Sequence, residues 1–170
     1  MPDANRRHPN VVHLTEVEPR TVSAGTRFAF TTRWFTRATG ARGVGCSWFE
    51  VPPGKTAFPA HYHCANEESA YVLEGEATLR IGDRTVPIRA GDYVTFPVGP
   101  EAVHEIVNTG TTPLRYLAFS TLLPTEVVGY PDSRKIGTTA TARFGEQPWI
   151  RGLFREGSSV DYYDGEKMEP

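Results

Sequence analysis

Three histidines and one of two adjacent glutamates are the side chains of this sequence best suited to chemistry. His61 and His63 are separated by a single residue, Glu67 and Glu68 come after a short stretch, and His104 lies further along the chain. Side chains in a strand alternate with a period of two, so His61 and His63 project to the same face and can share one ion. Neutral imidazole together with carboxylate suits Fe, Mn, Ni, Cu or Zn, so ligand type leaves the metal open. A His-x-His pair alone is weak evidence, because exposed or hydrogen-bonded histidines are common at that spacing. Weight comes from three later features of the chain: a Glu after a short loop, Gly75 at the end of the next apolar run, and a second turn-rich segment with His104 and Asn108.

The elements that must position these residues read as short strands. Arg27 to Trp34 and Val44 to Val51 are rich in aromatic and β-branched residues and flank a turn at Thr39 to Gly43. After the Pro52-Pro53-Gly54 break, Ser69 to Leu73 ends at Glu74-Gly75, and Ala77 to Ile81 meets Arg84 to Ile88 across a Gly82-Asp83 hairpin. Tyr93 to Phe96, His104 to Val107 and Leu114 to Thr121 complete the series. Strands at such regular spacing predict a sandwich or barrel.

The chain has 170 residues, enough for one compact domain and too few for two ordinary ones. Its 16 Gly and 14 Pro favour many turns and short strands, hence an all-β fold. Residues 1–25 read as a polar extended arm, 26–125 as the barrel, and 126–170 as an irregular tail. The tail's Phe144, Trp149, Phe154, Tyr162 and Tyr163 predict packing on the barrel, over its mouth, or against a second subunit. A formal net charge of −2 supplies no basic field for nucleic acid or an anionic membrane. No apolar run reaches the length of a membrane span, no signal peptide is evident, and Cys46 and Cys64 make no disulfide framework. A cytoplasmic protein is the expectation.

The combined pattern resembles the two motifs of the cupin superfamily. In the first, G-x5-H-x-H-x3,4-E-x6-G, the matches are His61, His63, Glu68 and Gly75. The six residues before Gly75 select Glu68, whereas Glu67 fits only the first gap. In the second, G-x5-P-x-G-x2-H-x3-N, the matches are Gly91, Pro97, Gly99, His104 and Asn108. Gly54 lies one residue too far from His61, and four residues rather than two separate Gly99 from His104. Both departures are loop-length changes, and the second makes the aim of His104 the least determined of the four.

The resemblance implies a double-stranded β-helix, or jelly-roll barrel, with one divalent transition-metal ion held inside by His61, His63, Glu68 and His104. It also implies a homodimer. The ion keeps open positions for water or substrate, so the expected activity is oxygenation, isomerisation or carbon-bond cleavage of a small polar organic molecule, such as a carboxylate or sugar derivative. A cupin that binds a metabolite without turning it over is the alternative, since fold does not settle chemistry.

Other residues have duller readings. Arg80, Arg84, Arg89 and Arg115 can clamp a carboxylate if they point inward, although such residues more often face outward. Tyr71 and Tyr93 alternate away from the metal face, which predicts core packing. His8 and His13 lie in the polar arm and are expected to be solvated. Cys46 reads as a small core residue, and Cys64, next to His63, as pointing away from the ion.

Overall fold

The computed structural model describes residues 8–168. Alternation of apolar and polar residues produces strands β1 (Arg20–Ala24), β2 (Phe28–Trp34), β3 (Val44–Val51), β4 (Tyr62–His63), β5 (Glu68–Glu74), β6 (Glu76–Ile81) and β7 (Arg84–Arg89). They continue as β8 (Tyr93–Phe96), β9 (His104–Val107), β10 (Leu114–Thr121), β11 (Thr125–Tyr130), β12 (Lys135–Ala140) and β13 (Ile150–Arg155). The strands pair antiparallel in three sheets ordered β1-β2-β3-β10-β5-β8, β7-β6-β9 and β13-β12-β11-β4. The all-β jelly-roll expectation holds.

The core lies between the first two sheets. Phe30, Phe49, Val51, Ala70, Val72, Leu114 and Tyr116 come from one of them, and Ala77, Leu79 and Ile88 from the other. Burying each large apolar side chain here stabilises the barrel by about 1.5–3 kcal/mol. Within β5 the inward residues are Ala70 and Val72, which sets Glu68 on the same face at the strand's start.

Two residues of the motifs hold the frame rather than perform chemistry. Gly75 turns the chain between β5 and β6 at φ 88°, where a Cβ would sit 2.9 Å from the Pro113 carbonyl oxygen. Asn108 is fully buried; its amide donates to the Val51 and Thr112 carbonyls at 2.8 and 2.9 Å, and its oxygen accepts from the Gly110 N–H at 3.0 Å.

The structure departs from the sequence reading in four places. The segment after 125, expected to be irregular, carries β11, β12 and β13, and β4 joins it edge to edge. Its Pro and Gly punctuate short strands that find their hydrogen bonds only by joining that sheet. Gly129 faces Tyr62 across the junction, and a Cβ there would lie 2.2 Å from the tyrosine ring. In the N-terminal arm, Arg20–Ala24 pairs with β2, while His13 is exposed and caps a short 3-10 turn at Leu14–Glu16. A helix, α1 (Phe35–Thr39), precedes the turn expected at Thr39 to Gly43 and ends at Gly40 with φ 71°. Finally, Tyr71 and Tyr93 are 39% and 62% exposed: they do alternate away from the interior, but the opposite face of that sheet meets solvent instead of a second core.

Candidate metal centre and cavity

His61 and His104 are brought together by the backbone. Each accepts and donates one main-chain hydrogen bond with the other, at 3.1 and 2.8 Å, as a bridge between the chain before β4 and the start of β9. Their rings lie 4.5 Å apart, and Phe96 stacks on His104 at 3.8 Å with an interplanar angle of 9°. His63 enters from β4, which is paired on its other side with β11. Glu68 enters from β5, opposite Ser120 and Phe96 in the neighbouring strands.

Three imidazole rings converge on one carboxylate oxygen. Glu68 Oε2 lies 3.3 Å from His63 Nε2, 3.6 Å from His104 Nε2 and 4.0 Å from His61 Nε2. Two ligands each about 2.1 Å from a common ion can be no more than about 4.2 Å apart, and each histidine meets that limit with Glu68. Among the described residues, the ligand atoms of His61, Glu68 and His104 all lie within 4.8 Å of one another. His63 is not part of that mutual set and reaches it through Glu68. Glu67, its neighbour, is exposed and takes no part.

The tautomers agree with this donor set. His61 Nδ1 lies 2.9 Å from the Pro59 carbonyl oxygen and His104 Nδ1 2.9 Å from that of Ala102. A carbonyl only accepts, so both Nδ1 atoms carry a proton, and in the neutral ring Nε2, on the side of Glu68, is the atom left to bind an ion. His63 Nδ1 faces Glu126 Oε2 at 3.2 Å, with the same consequence.

Burial, then the charges of His104 and His63, push His61 down from 6.5 to about 4, leaving its imidazole neutral. Burial also opposes charge on His63, but hydrogen bonds and charges from Glu68 and Glu126 outweigh it and raise that group. At Glu68 burial opposes ionisation, yet the His104 and His63 imidazoles, 3.6 and 3.3 Å away, and the nearby histidine charges hold it well below the usual carboxylate range.

The cluster opens into a cavity of about 610 Å³. Phe49, Phe58, Phe96 and Tyr116 of the barrel line it, together with Tyr130 and Phe144 from the C-terminal segment. Of the five aromatics singled out in that segment, Phe144 alone lines the cavity, while Trp149, Phe154, Tyr162 and Tyr163 are exposed. Arg80, Arg84, Arg89 and Arg115 do not line the cavity; Arg80 pairs with Asp132 and Arg115 with Glu50 and Glu74. The arginines that do line it, Arg37 and Arg151, escaped the sequence reading, as did Glu126 and Tyr130. For the last two the available signal was the alternation Glu126, Val128, Tyr130 after Pro124. Cys46 lines the cavity and Cys64 is exposed. Among the described residues no helix is long and apolar enough to cross a membrane.

Residues 47–120 match the family model for the cupin domain. A predicted oxalate decarboxylase from Thermotoga maritima is 30% identical, with the alignment covering 66% of this chain and 99% of that one at a TM-score of 0.58. A sugar phosphate isomerase from Silicibacter pomeroyi is 23% identical over 91% of this chain and 98% of that one, at a TM-score of 0.75, and speaks for the fold. An oxalate-binding protein from Thermotoga maritima is 40% identical over 44% of this chain and 59% of its own length. A second curated relative is spanned over 54%, so the chain covers little more than half the length of these two.

Proposed function

The chain belongs to the cupin superfamily, and on that premise we propose that it is a metal-dependent enzyme acting on a small oxygen-bearing organic molecule. His61, His63, Glu68 and His104 would hold one divalent transition-metal ion. The observation that supports this most is the convergence of three imidazole Nε2 atoms on Glu68 Oε2 at the wall of a cavity able to admit a substrate. Such an ion supplies Lewis acidity, an acidified water or, if iron, oxygen activation, which are the chemistries of an isomerase, a lyase and an oxygenase.

The protein's own groups set the stage for that chemistry. Glu126 orients His63, and Phe96 fixes the plane of His104 by stacking. Burial and the nearby Glu68 charge raise both Tyr116 and Tyr130, so their hydroxyls stay protonated and can donate to a bound oxygen. The aromatic walls give a bound substrate a largely apolar surround. The free thiols of Cys46 and Cys64 suit a cytoplasmic location.

A purely ligand-binding role is the competing reading, favoured by the relative named for oxalate binding. Elemental analysis of protein purified without an affinity tag, followed by oxygen-uptake and metabolite-turnover screens, separates the two. Metal at about one ion per chain with substrate turnover supports the enzyme. Metal with tight binding and no turnover supports the binder, and wild-type metal content in the His61→Ala, His63→Ala double variant removes the site.

A further inference from the structure

We propose that the cavity takes a planar aromatic molecule carrying one or two oxygen substituents, in preference to a small dicarboxylate or a phosphorylated sugar. The inference rests on the reading of the cavity as a substrate site and adds the class of substrate.

The walls carry it. Phe49 stacks on Tyr116 at 5.1 Å with an interplanar angle of 10°, and Phe58 meets Phe49 at 5.6 Å edge-on. The ring series continues into the ligand cluster itself, where Phe58 faces His61 edge-on at 6.0 Å and Tyr130 lies nearly parallel to His61 at 6.0 Å. A flat apolar body can therefore touch ring faces or edges along the route to Glu68.

The polar inventory points the same way. Among the described residues lining the cavity, the only lysine or arginine side chains are Arg37 and Arg151, both exposed, and Arg37 is stacked over Trp34 at 4.0 Å. A dicarboxylate beside Glu68 and Glu126 would meet two like charges, with only those two exposed guanidinium groups in the cavity lining to offset them. A sugar would need many partners, yet Thr56 is committed to the Phe58 and Ile106 carbonyls, and Asn66 to Glu126, Thr121 and Leu123. The Tyr116 and Tyr130 hydroxyls make no hydrogen bond within the described residues and belong to the same ring series, so they can meet one or two oxygens on a flat body; the Ser47, Ser69 and Thr139 hydroxyls lining the cavity are likewise without one.

The test is calorimetric titration of the full chain, zinc-loaded and metal-free, with 1-naphthol, oxalate and glucose 6-phosphate. 1-Naphthol should bind at least tenfold tighter than either anion, with a negative heat-capacity change. Phe58→Ser, at a side chain 42% exposed, should weaken it at least fivefold while zinc content stays at the wild-type level. Oxalate or glucose 6-phosphate binding as tightly as 1-naphthol, or no binding of 1-naphthol, overturns the inference. The metal reading fails separately: if the chain retains no zinc but 1-naphthol still binds and Phe58→Ser still weakens it, the aromatic class stands and the metal enzyme falls.

Discussion

Glu126 places a carboxylate oxygen 3.2 Å from Nδ1 of His63, although the two residues lie in different parts of the chain. The pairing of β4 with β11 makes this possible, and the same carboxylate accepts from the backbone N–H groups of Cys64, Ala65 and Asn66 at 3.2, 3.1 and 2.9 Å. Burial disfavours its charge, but the hydrogen bonds from Asn66 and the charge of His63 outweigh that and keep it below the usual carboxylate range. The C-terminal sheet thus lines part of the cavity and also orients one of the candidate ligands.

Glu126→Gln should keep the fold and weaken metal retention by about 10- to 100-fold, the usual cost of losing the carboxylate behind a ligating histidine. Zinc competition against a chromogenic chelator reads the change, with circular dichroism as the control. Unchanged affinity would mean that His63 is oriented by other contacts.

Metal binding should also release a proton, and the two β4-side histidines predict which one. His61, lowered to about 4, has no proton to lose at pH 7, whereas His63 is raised above its ordinary 6.5 and must give up part of one. The signs for the metal-free protein differ as well. His63 binds its proton more tightly when folded, so its stabilisation is complete below about pH 6.5 and is lost as pH rises through its raised value. His61 binds its proton less tightly when folded, so its contribution shrinks as pH falls from 6.5 towards 4. Zinc titrations at pH 7 in buffers of different ionisation heat should show up to one proton released per ion; equal release by wild type and His63→Ala would contradict the assignment.

The barrel was legible because its strands are bounded by strong turn chemistry. Val44–Val51, Tyr93–Phe96, His104–Val107 and Leu114–Thr121 fall where alternation and flanking Gly, Pro and Asn place them. His61, Glu68 and His104 were legible through the spacing of two motifs, and the long Pro100 to Val103 insertion is absorbed by a 3-10 turn at Pro100–Ala102 that leaves His104 aimed inward. Glu126 was not legible, since nothing local in Thr125–Tyr130 says that this strand will join the edge of β4. Such non-local pairing depends on the whole sheet. The outward placement of Tyr71 and Tyr93 was misread for a related reason: alternation says which residues share a face, but not what covers that face.

Asn108→Ala should be strongly destabilising without touching the cavity. It strips donors from the Val51 and Thr112 carbonyls and an acceptor from the Gly110 N–H at a fully buried site, a loss of about 2–4 kcal/mol. For a chain of this size that is roughly 4–15 °C in Tm. Differential scanning calorimetry checks it, and a shift within a degree of wild type would contradict the structural role.

The proposed homodimer should be visible by light scattering. Trp149, Ile150, Leu153 and Phe154 are each more than half exposed on or beside β13, which among the described residues ends its sheet with an unpaired edge. The expected mass at micromolar concentration is twice that of the chain, and a monomer at high micromolar concentration removes the claim.

The sharpest separation is between the neighbouring carboxylates Glu67 and Glu68. Glu68 begins β5 on the face of Ala70 and Val72, with its Oε2 within 4.0 Å of all three histidine Nε2 atoms. Glu67 precedes the strand, and its backbone N–H is held by Thr121 Oγ1 at 3.0 Å while the residue itself is exposed. Glu68→Gln preserves size but removes the anionic donor, so metal per chain after dialysis against a chelator should fall at least tenfold. Glu67→Gln should stay within error of wild type, because a solvated carboxylate outside the cluster contributes little. Equal losses from both variants, or a loss from Glu67→Gln alone, would show that the loop from Cys64 to Asn66 turns the second carboxylate inward and that Glu68 is not the anionic ligand.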